Sequence, residues 1–261
     1  MDCPEQVDTT ASALDAQGSC VWRRLQAEAR LTSLKEPALL PFIDRVILCH
    51  ASFWQALSFL LSEKLSSRTI AIDIWQESFA CGHGAGLEEA AKDDLAATAL
   101  RDPAAQDLLI PFLCYKGFHA LQCHRVAHHL WNIHRNTLAR LLQSRVSEVF
   151  DVDIHPAVPV GQRVFIDHGT GIVIGESASI GNDVSILQKV TLGGTGKEQG
   201  DRHPKIRDHA FIAAGATILG NIEIGAGATV GAGSVVLGSV PAYATAVGVP
   251  ARVLCARSTQ R

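Results

Sequence analysis

The sequence lacks the cysteine patterns of a disulfide framework or a zinc knuckle. Its seven cysteines are odd in number, scattered along the chain, and include no C-x-x-C pair. Small secreted domains and structural zinc sites need cysteines at paired, defined spacings. We therefore expect reduced thiols and a cytoplasmic protein.

The sequence also lacks an excess of positive charge and a long apolar run. Its formal net charge of −3 gives no broad positive field for a nucleic acid or an anionic membrane. No apolar run approaches the ~20 residues that span a bilayer. The acidic start MDCPE lacks the basic and apolar regions of a signal peptide. We predict no nucleic-acid or membrane partner, and an unexported protein that acts on small molecules.

What the sequence does contain is a regular six-residue spacing of aliphatic side chains. The twelve positions are Val160, Ile166, Ile174, Ile180, Ile186, Leu192, Ile206, Ile212, Ile218, Ile224, Val230 and Val236. A period of six fits neither an α-helix nor an open strand and is typical of the hexapeptide repeat of a parallel β-helix. Evenly spaced ordinary strands are the alternative interpretation.

The composition changes near residue 151. Helical periodicity extends from Trp22 to about Phe150, whereas glycine becomes frequent afterwards. We predict an α+β fold with three parts: an α-helical N-terminal domain over 1–150, frayed at 1–20; a β-helix over 151–240; and a C-terminal cap and tail over 241–261. An irregular cap would cover the open end of the solenoid.

The six-residue spacing fails at two places, both rich in His, Asp and Arg. The step from Ile166 to Ile174 is eight residues, and the step from Leu192 to Ile206 is fourteen. A coil keeps its register only if the extra residues bulge out, and loops on a rigid scaffold often carry binding and catalytic groups. We therefore place the active site at these two insertions.

The first insertion contains His168, the simplest general base available in the chain. An imidazole with an ordinary pKa of about 6.5 can accept a proton near neutral pH, and Asp153 or Asp167 could orient it. The second insertion contains Arg202, which could hold a carboxylate by a bidentate pair, beside His203. A surface histidine in a turn and a solvated arginine are the alternative interpretations.

Two other patterns lack a defining residue. Residues 193–197 (GGTGK) superficially suggest a phosphate loop, but the spacing G-x-x-x-x-G-K-[ST] is absent. His124 and His128 have the i, i+4 spacing that a metal could use, without the Glu of the zinc-protease motif. We interpret these two histidines, together with His119, as interface or surface residues and predict no metal site.

Seven segments resemble motifs of the serine O-acetyltransferases, which begin cysteine biosynthesis. They are 101–104 (RDPA), 116–120 (KGFHA), 152–156 (VDIHP), 167–171 (DHGTG), 184–187 (VSIL), 190–197 (VTLGGTGK) and 200–205 (GDRHPK). The resemblance extends from about Trp22 to Val253. A hexapeptide repeat alone is shared by many acyltransferases, so the helical domain and the two loops make the resemblance specific.

The resemblance implies a left-handed β-helix that forms a homotrimer, with two trimers joined through the helical domains. It implies acetyl transfer from acetyl-CoA to the hydroxyl of L-serine, giving O-acetyl-L-serine and CoA, with no tightly bound cofactor. L-Cysteine is expected to compete at the serine site as a feedback inhibitor.

Carried over position by position, the resemblance assigns His168 as the general base and Asp153 as its orienting partner. The serine alkoxide would attack the thioester directly, so no cysteine has a catalytic role. The expected serine-binding residues are Asp102 and Asp167 for the ammonium, and Arg202 and His203 for the carboxylate and hydroxyl end. The expected CoA-binding residues are Gly194, Thr195, Ala214, Gly215 and Ala232.

The sequence departs from the family pattern at three places. Gly169 replaces an alanine of many relatives, and Ala213 replaces a glycine beside the expected CoA groove. The chain ends in Arg261, whereas relatives that dock into O-acetylserine sulfhydrylase often end in an aliphatic residue. We therefore expect no stable complex with that enzyme.

Other functions remain open at this point. A hexapeptide acetyltransferase could use another hydroxyl or amine acceptor. A metallo-lyase of the γ-carbonic-anhydrase type could bind zinc through His168, His203 and His209, and a non-catalytic scaffold would leave both insertions unexplained. If the protein is an acetyltransferase, we expect His168 and His203 to reach one site from different subunits.

Overall fold

The computed structural model describes residues 9–197 and 199–254, with side chains from Cys20 onward. The α-helices are α1 (Thr9–Lys35), α2 (Leu40–Ile43), α3 (Phe53–Leu65), α4 (Ile72–Cys81), α5 (Leu87–Arg101), α6 (Leu109–Cys114), α7 (Lys116–Asn132) and α8 (Asn136–Phe150). A 3₁₀ turn, Pro37–Leu39, and a π-helical turn, Asp44–Leu48, flank α2. Helix α1 begins inside the segment predicted to be frayed, whereas residues 1–8 of that segment lie outside the described residues.

The helical part is packed around aromatic side chains. Phe53, Trp75, Phe79 and Phe112 are fully buried, and the rings of Phe53 and Phe112 meet edge to face at 5.5 Å. Among the described helices, none alone is long and apolar enough to cross a membrane, although the segments 37–48 and 53–65, bent by 116°, pass that test as a pair.

The strands are short and almost all parallel. They are β1 (Val152–Ile154), β2 (Phe165–Ile166), β3 (Ile172–Ile174), β4 (Ser179–Ile180), β5 (Ser185–Ile186), β6 (Thr191–Gly193), β7 (Lys205–Ile206), β8 (Phe211–Ile212), β9 (Thr217–Leu219), β10 (Glu223–Ile224), β11 (Thr229–Val230), β12 (Val235–Val236), β13 (Thr245–Gly248) and β14 (Ala251–Leu254). Face A contains β1-β3-β6-β9-β12, face B contains β4-β7-β10, and face C contains β2-β5-β8-β11-β13-β14. Successive strands therefore visit three faces in turn, as in a three-sided coil.

The interior of the coil consists of the residues that the six-residue spacing predicted. Eleven of the twelve aliphatic side chains, all but Val160, are at most 5 % exposed. The small or β-branched residues four positions later are also buried: Ala178, Val184, Val190, Ala210, Ala216, Ala228 and Ser234. The predicted fold class, a helical domain followed by a left-handed parallel β-helix, is confirmed.

We name each of the three edges of the β-helix after one histidine that it carries. The His168 edge joins face C to face A, the His203 edge joins face A to face B, and the His209 edge joins face B to face C. Backbone hydrogen bonds stack the turns along an edge; on the His168 edge, Gly215 N donates to Gln188 O at 2.9 Å. Residues on one edge are therefore aligned along the solenoid axis.

The C-terminal cap is more regular than predicted. Strand β13 continues face C by pairing with β11, and β14 returns antiparallel to β13. The expectation of an irregular cap is wrong for 245–254, because Ala246 still occupies an inward position at 1 % exposure and extends the coil by one strand. The tail 255–261, including Arg261, lies outside the described residues.

A buried ion pair joins the helices to the first coil. Asp94 of α5 is fully buried and accepts from Arg125 Nε at 2.8 Å and from Val164 N at 3.0 Å. Arg125 of α7 also donates to Val160 O at 3.1 Å and to Gly161 O at 2.6 Å. The helical part thus forms hydrogen bonds with backbone groups at the start of the β-helix. A preceding coil, if there were one, would bind these same groups.

Two histidines of α7 are buried, one within the helical part and one at this junction. His119 Nε2 lies 2.7 Å from Phe112 O, and His124 Nε2 lies 3.0 Å from Val158 O. Of the two alternatives, interface or surface, the surface one is wrong because both side chains are buried, whereas His124 lies at the interface between α7 and the first coil. Burial lowers the pKa of His119 to about 4 and that of His124 to about 3, so both are neutral at pH 7.

Candidate active site

His168 occupies a corner turn of the coil with left-handed backbone. It follows β2 and has φ 56°, and Gly169 and Gly171 also have positive φ, at 76° and 73°. Left-handed backbone recurs at other corners, as at Asp183 and Lys189, so it belongs to the corner geometry of the coil. The turn leaves the His168 side chain 70 % exposed on the outside of the coil.

Close packing from α7 supports this turn. Gly117, in the first turn of α7, lies against the backbone of Ile166, so that a Cβ atom on Gly117 would overlap the carbonyl oxygen of Ile166. A Cβ atom on Gly169 would lie 3.1 Å from Val152 Cγ2. The glycine of the 116–120 motif is therefore explained by the approach of a helix to the strand that leads into His168.

A cleft of about 380 Å³ opens beside His168. Its lining residues are Asp102, Ala104, Cys114, Tyr115, Lys116, Gly117, Asp167, His168 and Thr170. The structure thus brings together three predicted site residues, Asp102, Asp167 and His168, although Asp102 comes from the end of a helix 65 residues before Asp167. The two carboxylates favour a ligand that carries a positive charge, and the imidazole can accept a proton from that ligand.

Tyr115 is a residue of this cleft that the sequence did not reveal. Its hydroxyl hydrogen-bonds to the carboxylate of Asp102; burial and that carboxylate raise the pKa of Tyr115 to about 12, so it remains a protonated donor. Asp102 Oδ1 also accepts from Ala104 N at 2.8 Å. Two donors therefore fix this carboxylate. No sequence pattern marks a single tyrosine, although Tyr115 directly precedes the 116–120 motif.

The two candidate partners of His168 differ in position. Asp167 Oδ1 lies 3.7 Å from His168 Nε2, too long for a hydrogen bond but close enough for an ion pair. Asp153, on β1, accepts from Gln143 Nε2 at 2.6 Å, and no described contact joins it to His168. Orientation of His168 by Asp153 stays a prediction.

Arg202 and His203 lie on a different edge of the coil from His168. His203 is 6 % exposed and packs against Gly175, whereas Arg202 Nη2 lies 3.5 Å from Glu176 Oε2. Burial, followed by the charges of Arg202 and Lys205, lowers the pKa of His203. The predicted serine-binding residues are thus divided between two edges within one chain.

The predicted CoA-binding residues are divided in the same way. Ala214, Gly215 and Ala232 lie on the His168 edge, where Gly233 N donates to Ala214 O at 2.8 Å. Gly194 and Thr195 lie on the His203 edge, and Gly194 packs against Arg202 with 3.3 Å between Arg202 Cδ and an ideal Cβ position. Neither edge alone holds a complete predicted site.

The alternative zinc ligands do not converge within the chain. His168, His203 and His209 lie on three different edges. Across residues 9–197 and 199–254, no group of three or more His, Cys, Asp or Glu side chains could hold a metal ion.

A helical domain, a hexapeptide β-helix and an exposed histidine in an interrupted corner together define an acyltransferase of the hexapeptide-repeat class. Two family models match the chain: the N-terminal domain of serine acetyltransferase over residues 21–123, and the bacterial transferase hexapeptide (six repeats) over 203–238. The serine acetyltransferase of Escherichia coli (strain K12) is 52 % identical over 238 residues, covering 90 % of this chain and 86 % of the relative. The chain belongs to the serine acetyltransferase family.

Plant relatives and solved structures agree with this assignment. Serine acetyltransferase 2 of Arabidopsis thaliana is 48 % identical over 246 residues, covering 94 % of this chain and 76 % of the relative. Soybean serine acetyltransferase complexed with serine superposes with a TM-score of 0.88 at 52 % identity, covering 91 % of this chain and 99 % of that chain. A serine acetyltransferase in complex with CoA gives a TM-score of 0.87 at 47 % identity, covering 91 % and 100 %.

Proposed function

We propose that this protein transfers the acetyl group of acetyl-CoA to the hydroxyl of L-serine, giving O-acetyl-L-serine and CoA as the first step of cysteine biosynthesis. The observation that carries the proposal is the cleft in which His168 lies beside Asp102 and Asp167. Similar proteins have been solved with serine, with CoA and with cysteine.

His168 acts as the general base. Its imidazole takes the proton from the serine hydroxyl as the oxygen attacks the thioester carbonyl of acetyl-CoA. The tetrahedral intermediate then collapses, the C–S bond breaks, and the proton passes from the imidazolium to the departing CoA thiolate. Its exposure on the outside of the coil leaves the imidazole accessible to both substrates. Asp153 orients His168 in the assembled site, with Gln143 holding its carboxylate.

The serine-binding residues recognise the two charged groups of the amino acid. Asp102 and Asp167 pair with its ammonium group, whereas Arg202 and His203 bind its carboxylate. Because these two sets lie on different edges, the site forms between neighbouring subunits of a homotrimer, or of a dimer of trimers, with one His168 edge facing one His203 edge.

Acetyl-CoA lies in the groove between these edges, against Ala214, Gly215 and Ala232 of one subunit and Gly194 and Thr195 of the next. It is a cosubstrate and no cofactor is tightly bound. L-Cysteine, which shares the ammonium and carboxylate of serine, competes at the same residues. The enzyme acts in the cytoplasm.

A thiol-release assay tests the proposal. Purified full-length protein with acetyl-CoA should release free CoA with L-serine and much less with sugar or amine acceptors, and L-cysteine should inhibit the release. Equal or faster release with a sugar would assign a different acceptor. Activity that is lost on chelation together with stoichiometric zinc would instead favour the metallo-lyase.

A further inference from the structure

Ser177, in the turn between β3 and β4, makes an unusual set of hydrogen bonds with the second insertion. His203 Nδ1 lies 2.8 Å from Ser177 Oγ, and Ser177 N donates to Nδ1 at 3.2 Å. The backbone N–H groups of Arg202 and His203 donate to Ser177 Oγ at 2.9 Å and 3.2 Å. Lys205 Nζ additionally donates to the carbonyl oxygen of Ser177. Ser177 therefore contacts the backbone of Arg202 and both the backbone and the imidazole of His203.

These contacts determine where the imidazole proton is. A backbone N–H always carries its hydrogen, so His203 Nδ1 must accept from Ser177 N and is unprotonated. Ser177 Oγ already accepts two backbone hydrogen bonds, which occupy both of its lone pairs, so it does not accept a third from Nδ1. Its own hydrogen is shared between His203 Nδ1 and the carboxylate of Asp201. The neutral imidazole then carries its single hydrogen on Nε2.

The Nε2 atom is the polar atom of His203 to which no described residue forms a hydrogen bond. It packs directly against Gly175, where a Cβ atom would overlap it, so this glycine makes room for the Nε2 side of the ring. A substrate group that meets Nε2 must accept a hydrogen bond, as a carboxylate oxygen does and an ammonium group cannot.

We propose that Ser177 is a positioning residue that holds His203 as the neutral Nε2–H tautomer, so that His203 donates one hydrogen bond to a carboxylate oxygen of the amino-acid substrate. This rests on the proposed function for the identity of the acceptor. In this arrangement Arg202 supplies the positive charge and His203 supplies a directional hydrogen bond. The pair therefore selects acetyl-accepting substrates that carry a carboxylate.

The charged groups around His203 are compatible with a neutral ring. Burial has the largest effect on its pKa and lowers it, and Arg202 and Lys205 act in the same direction, against Glu176 and Asp201. His155 also faces His203, and each disfavours protonation of the other. A cationic His203 would require Nδ1 to lose the hydrogen bond from Ser177 N.

The tautomer can be measured directly. Side-chain ¹⁵N spectra of the histidine-labelled full-length protein, with His203→Asn to assign the signal, should show His203 protonated at Nε2 and not at Nδ1 at pH 7.5. Ser177→Ala keeps the backbone N–H that donates to Nδ1 but loses the hydroxyl, so it should weaken the preference for Nε2–H without abolishing it, whereas Ser177→Thr should keep the wild-type pattern. Protonation of Nδ1 in the wild-type protein would overturn the proposal whatever the enzymatic activity, and so separately from the proposed function.

Kinetics test the consequence for the substrate. Ser177→Ala should raise KM for serine roughly tenfold, the range of a weakened hydrogen bond to a charged group, while KM for acetyl-CoA changes little. Ser177→Thr should restore KM because it restores the hydroxyl. Ser179→Ala, in the adjacent strand, is the matched control, and an unchanged unfolding midpoint confirms that each variant is folded. A KM for serine that is unaffected by Ser177→Ala would overturn the positioning role; a wild-type protein that does not acetylate serine would refute the proposed function instead.

Discussion

Gly117 and Ile166 are in direct backbone contact: the Cα of Gly117 in α7 faces the carbonyl oxygen of Ile166 so closely that no side chain fits between them. Ile166 is the last residue before Asp167 and His168. A helix of the N-terminal domain therefore fixes the backbone from which the candidate base projects.

This contact predicts the effect of Gly117→Ala. The added methyl group must displace Ile166, because rigid backbone cannot yield as a side chain can, and the displacement moves the His168 turn. We expect a loss of about 1–3 kcal/mol in the free energy of unfolding, as for other overpacked sites, and a fall in kcat. Urea unfolding and the thiol-release assay measure the two effects. Gly238→Ala, at a glycine with open space around it, should change neither.

Replacing His168 tests the general base without disturbing the fold. His168→Ala should lower kcat by about 10²- to 10⁴-fold, the usual contribution of a positioned base. Because the side chain is 70 % exposed, its removal leaves no cavity and the unfolding midpoint should stay near that of the wild type. Near-normal turnover in this variant would remove the assignment.

The separation of the two edges predicts complementation between inactive variants. His168→Ala and Arg202→Ala should each be inactive alone. Mixed assemblies formed by refolding the two together should regain about a quarter of the wild-type activity, because random assortment places an intact His168 edge against an intact His203 edge at that frequency. A mixture that stays inactive although mass analysis shows mixed oligomers would mean that each chain contains its own complete site.

The Tyr115–Asp102 hydrogen bond predicts a specific change in serine binding. Tyr115→Phe removes the donor but keeps the ring, so Asp102 loses one of its two fixed contacts. We expect KM for serine to rise roughly 3- to 10-fold, the value of one ordinary hydrogen bond, with KM for acetyl-CoA unchanged. Tyr243→Phe, at an exposed tyrosine on the His209 edge, is the matched control. Equal kinetics in both variants would exclude Tyr115 from serine binding.

The buried neutral histidines of α7, His119 and His124, predict a loss of stability in acid. Above about pH 6.5 His119 is uncharged in both the folded and the unfolded chain and contributes no pH dependence. As the pH falls from 6.5 towards its folded pKa of about 4, the unfolded chain takes up a proton that the folded chain excludes, so the free energy of unfolding decreases. His124 acts in the same direction down to about pH 3.

His119→Gln should flatten this dependence, because an amide can still donate to Phe112 O but does not titrate. Urea unfolding at pH 7, 5.5 and 4.5 measures the slope. His83→Gln, at an exposed histidine, should leave the slope unchanged. An equal slope in wild type and His119→Gln would show that other groups control acid unfolding.

The sequence predicted the β-helix well because inward residues of a coil must be aliphatic at a fixed interval. Ile166 to Ile174 and Leu192 to Ile206 break that interval, and the breaks located both insertions. The spacing does not, however, report which edge an insertion occupies. The edge is known only once the strands are assigned to the three faces. That assignment places His168 and His203 on different edges.

Other features had no periodic signal. Tyr115 and Gln143 contact predicted site residues through tertiary packing, and no spacing pattern in the sequence marks such contacts. The buried state of His119 and His124 was missed because polar residues on a helix are usually solvent-exposed, whereas here backbone carbonyls of α6 and of the first coil accept their hydrogen atoms.

The ion pair between Asp94 and Arg125 also bears on aggregation. Together they occupy the backbone groups of Val160, Gly161 and Val164 at the start of the coil. Unpaired strand edges are templates on which other molecules add strands. We therefore expect a chain shortened to the β-helix alone to present such an edge and to associate end to end.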